Sequence, residues 1–456
     1  MQRFKAHWLN WLFVHVVSPF CRRWRPIIVI PPWPQRLMLR LFRRDVPTPL
    51  RPLALIWRYD DVVEVLGDHE RFSVSGYDEK MRECSNPFML GMGFTREYQD
   101  DISLLRRVLQ PEDRDRIRKI AARHSGAGIA AARDGRIDVV QQVVAPVMAA
   151  FVDEYLGVPA LPGQATIALQ PVPQRISPLL HLFLDTATYM FNVDILTGGP
   201  KYKKAATDAG KTIAAHIGDV IKRKRSGAAG PAGDTVLDRL LACQGVPDEL
   251  VQTIIGGTVS GAIAVTFSQC LWVIDRLLDL PPTQLAEVEN VARGNDEALL
   301  GRYVREASRF KPFPPALLRR CDSDQVIAEH TSRKRTLRAG TVVASLTWSA
   351  AFDSNRVRNP LQFHVGRGDG DYLLFGTGQH HCVAAQPERP FAQTLMIQMV
   401  KALFARGVVR RTAGADGFIQ GDDSGGQWPA HFVVEIDAAR LLSAVPPAPA
   451  SDTIAA

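Results

Sequence analysis

The chain has 456 residues, 46% hydrophobic and 22% charged, with a formal net charge of +8 carried largely by arginine. Those proportions exclude a disordered chain and a polytopic membrane protein and leave a globular protein with a large core. Six cysteines (Cys21, Cys84, Cys243, Cys270, Cys321 and Cys382) without a CxxC pair or regular spacing indicate neither a zinc site nor a disulfide framework, so a reducing, cytoplasmic compartment is expected.

Residues 1–45 hold nine Lys or Arg and one acid, Asp45, interleaved with Trp8, Trp11, Leu12, Phe13, Val14, Val16 and Val17. Asn10, His15 and Ser18-Pro19 break the apolar run, so it falls short of the ~20 apolar residues of a membrane span, and no small-residue cleavage site follows. Two readings stand side by side: a peripheral contact with anionic lipid, or a segment packed on the body of the protein. Pro31-Pro32-Trp33-Pro34 reads as a stiff, extended connector. Ala54-Leu55-Ile56-Trp57 reads as a strand that turns through Arg58-Tyr59-Asp60 into a short helix.

Residues 98–122 read as a helix entered through Asp100-Asp101, with a turn at Pro111 and a basic face of Arg106, Arg107, Arg114, Arg116, Arg118 and Lys119. That face is either merely solvated or a docking surface for an acidic partner; with no nucleic-acid motif in the chain, nucleic acid is not expected. Helical patterns continue over 137–156 and 205–226, and residues 227–233 form a loop rather than a domain boundary, because helical periodicity resumes at Thr235. The strongest helix spans 250–280. Its centre, 258–266, is rich in small residues that let a flat ligand or another helix approach the backbone.

Glu306 and Arg309, three apart before Pro312, share a helix face and can pair. Residues 316–320 and 338–345 read as strands of a small sheet. In Phe375-Gly376-Thr377-Gly378-Gln379-His380-His381-Cys382, two glycines permit a tight turn against a flat partner and a thiol follows at the start of an expected helix. A helix N-terminus would lower the thiol's pKa and suit it to hold a metal, whereas a lone cysteine would be read as buried and inert. That helix is expected to run to 403, with Pro387 able to start it late and Pro390 kinking it. The tail beyond Ala444 is expected to be disordered.

The octet resembles the haem-binding loop of the cytochrome P-450 family, Phe-Gly-x-Gly-x-His-x-Cys-x-Gly, departing only at Ala384. The resemblance extends in order over roughly residues 50–440, as in a bacterial-type soluble member. It implies a mainly α fold with small β-sheets (α+β): a haem domain over 46–444, between the basic segment 1–45 and the tail 445–456. By the same resemblance Cys382 is the axial ligand of haem b iron, and Phe375, Gly376, Gly378, His380 and Ala262 line the cofactor. Arg106, in the third helix, faces a propionate, although Ile102 stands where the family has a second propionate partner. Arg319 or Arg320 takes the place of another propionate arginine, with Arg320 carried forward.

Glu306, Arg309 and Arg367 match a buried structural triad that locks the cysteine loop. Residues 75–93 match a mobile loop over the substrate, in which Met81, Phe88, Met89, Leu90 and Met92 line a pocket or belong to the core. In the distal helix Thr266 keeps the catalytic alcohol's place and Val265 replaces the proton-delivering acid.

The implied activity is insertion of one oxygen atom from dioxygen into an apolar small molecule. Electrons would come from NAD(P)H through a separate ferredoxin- or flavodoxin-type donor, to a monomeric enzyme. The alternative is a peroxygenase or a hydroperoxide isomerase or dehydratase, which Val265 favours; a haem-binding sensor or carrier is the reading from another class.

Overall fold

The computed structural model of this chain describes residues 11–41, 50–132, 134–162, 176–191, 200–228, 233–421 and 428–437. The tail beyond Ala444, and part of the loop at 227–233, lie outside the described residues. The N-terminal helical stretch runs through Phe13–Val17 into α1 (Ser18–Trp24), followed by strand β1 (Ile27–Ile30) and helix α2 (Pro32–Leu41). The proline-rich 31–34 is therefore not an extended connector. Pro32 and Pro34 fall in the first turn of α2, where a missing N–H forfeits no helix bond.

Strand β2 (Leu53–Ile56) and helices α3 (Tyr59–Gly67) and α4 (Ser75–Cys84) come next, so the first ten residues of the expected 75–93 loop are helical. Met81, Phe88 and Met89 are buried. Helix α5 (Arg96–Val108) starts at Thr95, whose hydroxyl accepts the Tyr98 N–H at 3.1 Å, rather than at the Asp100-Asp101 pair; Pro111 separates it from α6 (Asp113–Ala130). After β3 (Arg136–Asp138), residues 139–156 are helical, with α7 (Ala145–Ala150) at their centre.

The second half of the core is built from α8 (Pro178–Phe191), α9 (Pro200–Arg225), α10 (Val236–Ala242), α11 (Asp248–Leu277), α12 (Pro282–Arg293) and α13 (Glu297–Phe310). Helix α11 is apolar around most of its circumference, the mark of a helix surrounded by others. Its Val251, Ile255, Val259, Ile263, Phe267, Leu271 and Ile274 are all buried in the main core. The chain ends with β4 (Leu317–Arg320), β5 (Gln325–Ile327), β6 (Arg335–Leu337), β7 (Val342–Ser345), α14 (Thr347–Ala350), α15 (Phe391–Phe404), β8 (Val408–Arg411), β9 (Gln420–Gly421), β10 (Pro429–His431) and β11 (Val433–Asp437).

The largest sheet has the order β1-β2-β7-β4. Its β2–β7 pairing is parallel, with Leu53 opposite Val342, and its other pairings are antiparallel. A second core beneath it joins Ile56, Phe72, Leu337 and Val343. The chain thus adopts the expected mainly helical fold with small sheets.

The helix after the cysteine loop begins only at Phe391, with Pro390 as its N-cap. Pro390 therefore delimits α15 instead of kinking it. Cys382 is followed by a single 3-10 turn, Val383–Ala385, and not by a long helix.

Candidate functional site

The loop from Phe375 to Ala385 is pinned by its own backbone. The Cys382 N–H donates to the Phe375 carbonyl (3.1 Å), the His381 N–H to Gly378 (3.1 Å), and the Ala385 N–H to Cys382 (3.2 Å). Gly376 and Gly378 adopt φ of +73° and +71°, a left-handed conformation natural to glycine. A Cβ on Gly378 would lie 2.9 Å from the Gly67 Cα, so its missing side chain makes room for the end of α3. Helix α5 braces the loop from the side: the Tyr98 hydroxyl donates to the Gln379 carbonyl (3.0 Å), and its ring meets the His380 ring edge-on at 5.3 Å.

Burial leaves the Cys382 thiol raised on balance, and the backbone N–H groups of Ala384 and Ala385 offset part of that rise. Those amides, rather than a long helix, stabilise negative sulfur here. Cys84 and Cys243 instead donate their S–H to carbonyls of their own helices, Lys80 and Arg239, at 3.2 Å each. Although protein surrounds Cys382 closely enough to desolvate it, part of its surface stays accessible, as do Phe375, Val383 and Ala384.

One face of the otherwise buried α11 is likewise partly accessible: Thr258, Gly261, Ala262 and Val265 recur at spacings of three and four. The Thr258 hydroxyl is buried without a hydrogen-bond partner. Thr266, the next residue round the helix from Val265, is only 4% exposed. Ser260 donates to the Gly256 carbonyl at 2.9 Å, so its proton is already committed. The small residues also admit the segment after α4: a Cβ on Gly257 would stand 2.2 Å from the Phe88 ring, and one on Gly261 3.4 Å from Leu90. Beside this cover a cleft of 260 Å³ opens between α4, α8, α9 and α11, lined by Asn86, Thr186, Gly210, Thr253, Gly256 and Ser260.

Strand alternation separates the two candidate arginines of β4. Arg320 turns outward and is ion-paired with Glu79 and Asp322 (2.5 and 2.9 Å), which corrects the choice of Arg320 as the arginine reaching inward. Arg319 is the buried one, 6% exposed, and among the described residues no carboxylate pairs with it; its Nη1 donates to the Leu318 carbonyl at 2.7 Å. Burial lowers its pKa, opposed only by Tyr77. Such a guanidinium is expensive to bury without an anion.

His380 lies within its field. Burial, the Arg319 charge and His69 together lower the His380 pKa to about 3, so its imidazole is neutral at pH 7 and free to donate an N–H. His69, whose ring meets Phe94 at 5.0 Å, is a member of this polar group that no sequence pattern signalled. Arg106 is exposed; its backbone carbonyl accepts from Arg389 at 3.3 Å, and its charge reaches Tyr98.

These residues fit haem b: an accessible thiol with amide donors, apolar neighbours, and a buried cation without a carboxylate. Arg319→Leu is expected to speed haem transfer to an acceptor globin about 10- to 160-fold, the value of a lost charged hydrogen bond of about 1.5–3 kcal/mol. Arg320→Leu should leave the rate unchanged. Equal effects of the two would remove Arg319 from the site.

The structure also brings Glu306, Arg309 and Arg367 together. Arg309 Nη2 and Nε donate to the two Glu306 oxygens (2.7 and 3.1 Å), and Arg367 Nε donates to Oε1 (3.1 Å). The His364 N–H and the Tyr372 hydroxyl complete the carboxylate's shell at 3.1 Å each. Arg367 also holds the carbonyls of Arg358, Asn359 and Gln362 (2.6, 2.9 and 2.8 Å), tying residues 358–367 to α13.

No family model matches the chain. Among solved structures, the ligand-free cytochrome P450 TbtJ1 superposes with a TM-score of 0.69 at 18% identity, covering 94% of this chain and 98% of that one. EryK from S. erythraea superposes at 0.68 and 18%, covering 92% and 95%. CYP109E1 from Bacillus megaterium, in complex with testosterone, superposes at 0.67 and 17%, covering 92% and 98%. The chain therefore has the cytochrome P450 fold, which is the fold of the family that its cysteine loop resembles.

Psi-producing oxygenase A of Emericella nidulans is 30% identical over 192 residues, which are 41% of this chain. The chain spans 17% of the length of that curated relative.

Proposed function

We propose that this chain holds haem b through the Cys382 thiolate and acts as a monooxygenase on an apolar small molecule. Electrons would come from NAD(P)H through a separate ferredoxin- or flavodoxin-type donor. The observation that carries this reading is Cys382 itself, an accessible thiol whose sulfur faces two backbone N–H groups in a pinned loop. When bound, a haem with cysteine ligation supplies dioxygen activation, the thiolate pushing electron density toward O–O cleavage.

The chain's own contribution is positional. Phe375, Val383 and Ala384 offer an apolar floor, and Thr258, Gly261, Ala262 and Val265 the opposing helix face. Arg319, His69 and His380 offer donors to the cofactor's carboxylates. His69 then takes the part left open by Ile102.

On the surface, Arg116 and Arg118 are occupied with Glu154, Asp234, Asp115 and Glu297. Arg106, Arg107, Arg114 and Lys119 stay exposed for an acidic donor. The relative named as an oxygenase supports oxygen chemistry in general.

Val265 favours a second reading, a peroxygenase or hydroperoxide isomerase, because that chemistry has less need of an acid at this place. General acid catalysis typically contributes 10²–10⁴-fold. With Ser260 committed to Gly256, Thr258 on the partly accessible face of α11 and Thr266 beside Val265 are the hydroxyls this reading would draw on. Turnover of an apolar substrate panel is measured with a surrogate ferredoxin chain and, separately, with hydrogen peroxide or a lipid hydroperoxide.

Under the monooxygenase reading the ferredoxin-driven reaction dominates, Thr266→Ala raises the fraction of electrons lost as peroxide, and Val265→Asp improves coupling. Turnover with hydroperoxide alone, insensitive to Thr266→Ala, would select the second reading. An absence of turnover under both conditions would contradict both.

A further inference from the structure

We propose that the outward face of residues 11–41 docks on the headgroup–acyl boundary of an anionic membrane. Twelve large apolar side chains stand exposed among the described residues, and ten of them lie in this stretch: Trp11, Val16, Val17, Phe20, Trp24, Val29, Trp33, Leu37, Met38 and Leu41. They form ridges rather than scatter. Val16, Phe20 and Trp24 recur every four residues on the first helical stretch, and Trp33, Leu37 and Leu41 do so on α2, so each set lies along one helix face.

Unlike an ordinary surface helix, each of these two carries an apolar ridge on its outward side as well as a packed inward side. Two of their uncharged polar side chains point inward and are satisfied there. Ser18, 1% exposed, shares a hydrogen bond of 2.6 Å with Ser349, while Gln35, 3% exposed, donates to the carbonyls of Ile30 and Arg51 at 2.9 Å each. Val14, Cys21 and Leu39 are buried beside them. The Phe13 ring stacks on Trp348 at 4.3 Å, and β1 forms the edge of the main sheet against β2. The stretch is therefore fastened to the body by one side while its apolar side looks out.

The charges select the occupant. Residues 11–41 contain Arg22, Arg23, Arg25, Arg36 and Arg40 and no Asp or Glu. Arg23, Arg25, Arg36 and Arg40 are exposed among the apolar ridges, Arg23 with its guanidinium over the Trp24 ring at 5.3 Å. A second copy of this chain would set arginine against arginine across a self-complementary contact. Anionic lipid meets both features at once, since aromatic and aliphatic side chains enter the acyl boundary while arginines reach the headgroups.

The test uses the full chain, because removing residues 1–45 would strip β1 from β2. Sedimentation is measured with phosphatidylcholine vesicles and with vesicles containing one quarter phosphatidylglycerol. At least tenfold tighter binding to the anionic vesicles, weakened by salt, is expected. A variant with Phe20→Ser, Trp24→Ser, Trp33→Ser and Leu37→Ser should lose at least tenfold in that binding while keeping its melting temperature. Should that variant fold poorly, tryptophan quenching of the unaltered chain by brominated phosphatidylglycerol vesicles replaces it, with strong quenching expected. No sedimentation and no quenching would overturn the proposal. So would a dimer of the unaltered chain that the quadruple variant makes monomeric, because the face would then be a protein interface.

Discussion

Glu306→Ala is expected to yield little or no soluble folded protein. The carboxylate is fully buried and neutralises Arg309, also fully buried, while taking a further bond from Arg367. Its removal leaves two guanidiniums sharing no anion and frees the His364 N–H and Tyr372 hydroxyl as well. Breaking a buried pair in this way costs about 3–5 kcal/mol, a large part of the ~5–15 kcal/mol that holds a typical protein folded. Arg309→Ala should be nearly as damaging, since its guanidinium also packs on Phe310 and Phe352 at 4.5 and 5.0 Å.

The same cluster predicts acid sensitivity. Burial alone would raise the Glu306 carboxyl, but the hydrogen bonds and charge of Arg309, with His364 and Arg367, outweigh it and hold the pKa below its usual value. A depressed folded-state pKa stabilises the fold above the unfolded carboxyl's pKa, and that stabilisation is lost as pH falls through the folded value. Urea midpoints of the unaltered chain should therefore drop as pH is lowered below about 4.5. Normal yields and unaltered melting of both variants would show the cluster to be dispensable.

Cys382→Ser has the second large effect, on cofactor binding and not on folding. The loop is closed by backbone bonds, Cys382 N–H to Phe375 and Ala385 N–H to the Cys382 carbonyl, which serine retains. The variant should purify as a folded protein with a melting temperature close to that of the unaltered chain without cofactor. It should carry little haem, and what remains should lack thiolate character. A misfolded variant would show that the sulfur packs the loop; full haem content with thiolate spectra would assign the ligand elsewhere.

Much of this was legible because it is local or strongly patterned. Glu306 and Arg309 pair through helical spacing, the apolar run of α11 marks a buried helix, and the cysteine octet is contiguous. What escaped depends on register and tertiary neighbours. Arg319 and Arg320 are adjacent in sequence, and only the pairing of β4 with β7 decides which one is buried.

Two proline readings failed in the same way, while the turn at Pro111 and the helix stop before Pro312 hold. At 31–34 the prolines start a helix, and Pro390 begins α15, because the first turn tolerates a residue without an N–H. The role of Gly378 became visible only against the end of α3. His69 and Thr258 have no motif: one is marked by its neighbours Arg319 and His380, the other by a buried hydroxyl without a partner. The N-terminal segment, whose sequence suits packing and lipid contact alike, packs one face on the body and turns its apolar ridges outward.

The central claim, that Cys382 presents a thiolate to haem iron, is tested most directly by the absorption spectrum of the reduced carbon monoxide complex of the purified protein reconstituted with one equivalent of haem. The account predicts the red-shifted Soret band of thiolate ligation in the unaltered chain and its loss in Cys382→Ser. A Soret band at the position given by a nitrogen or oxygen ligand in the unaltered chain, or the same red-shifted band in both proteins, would contradict it.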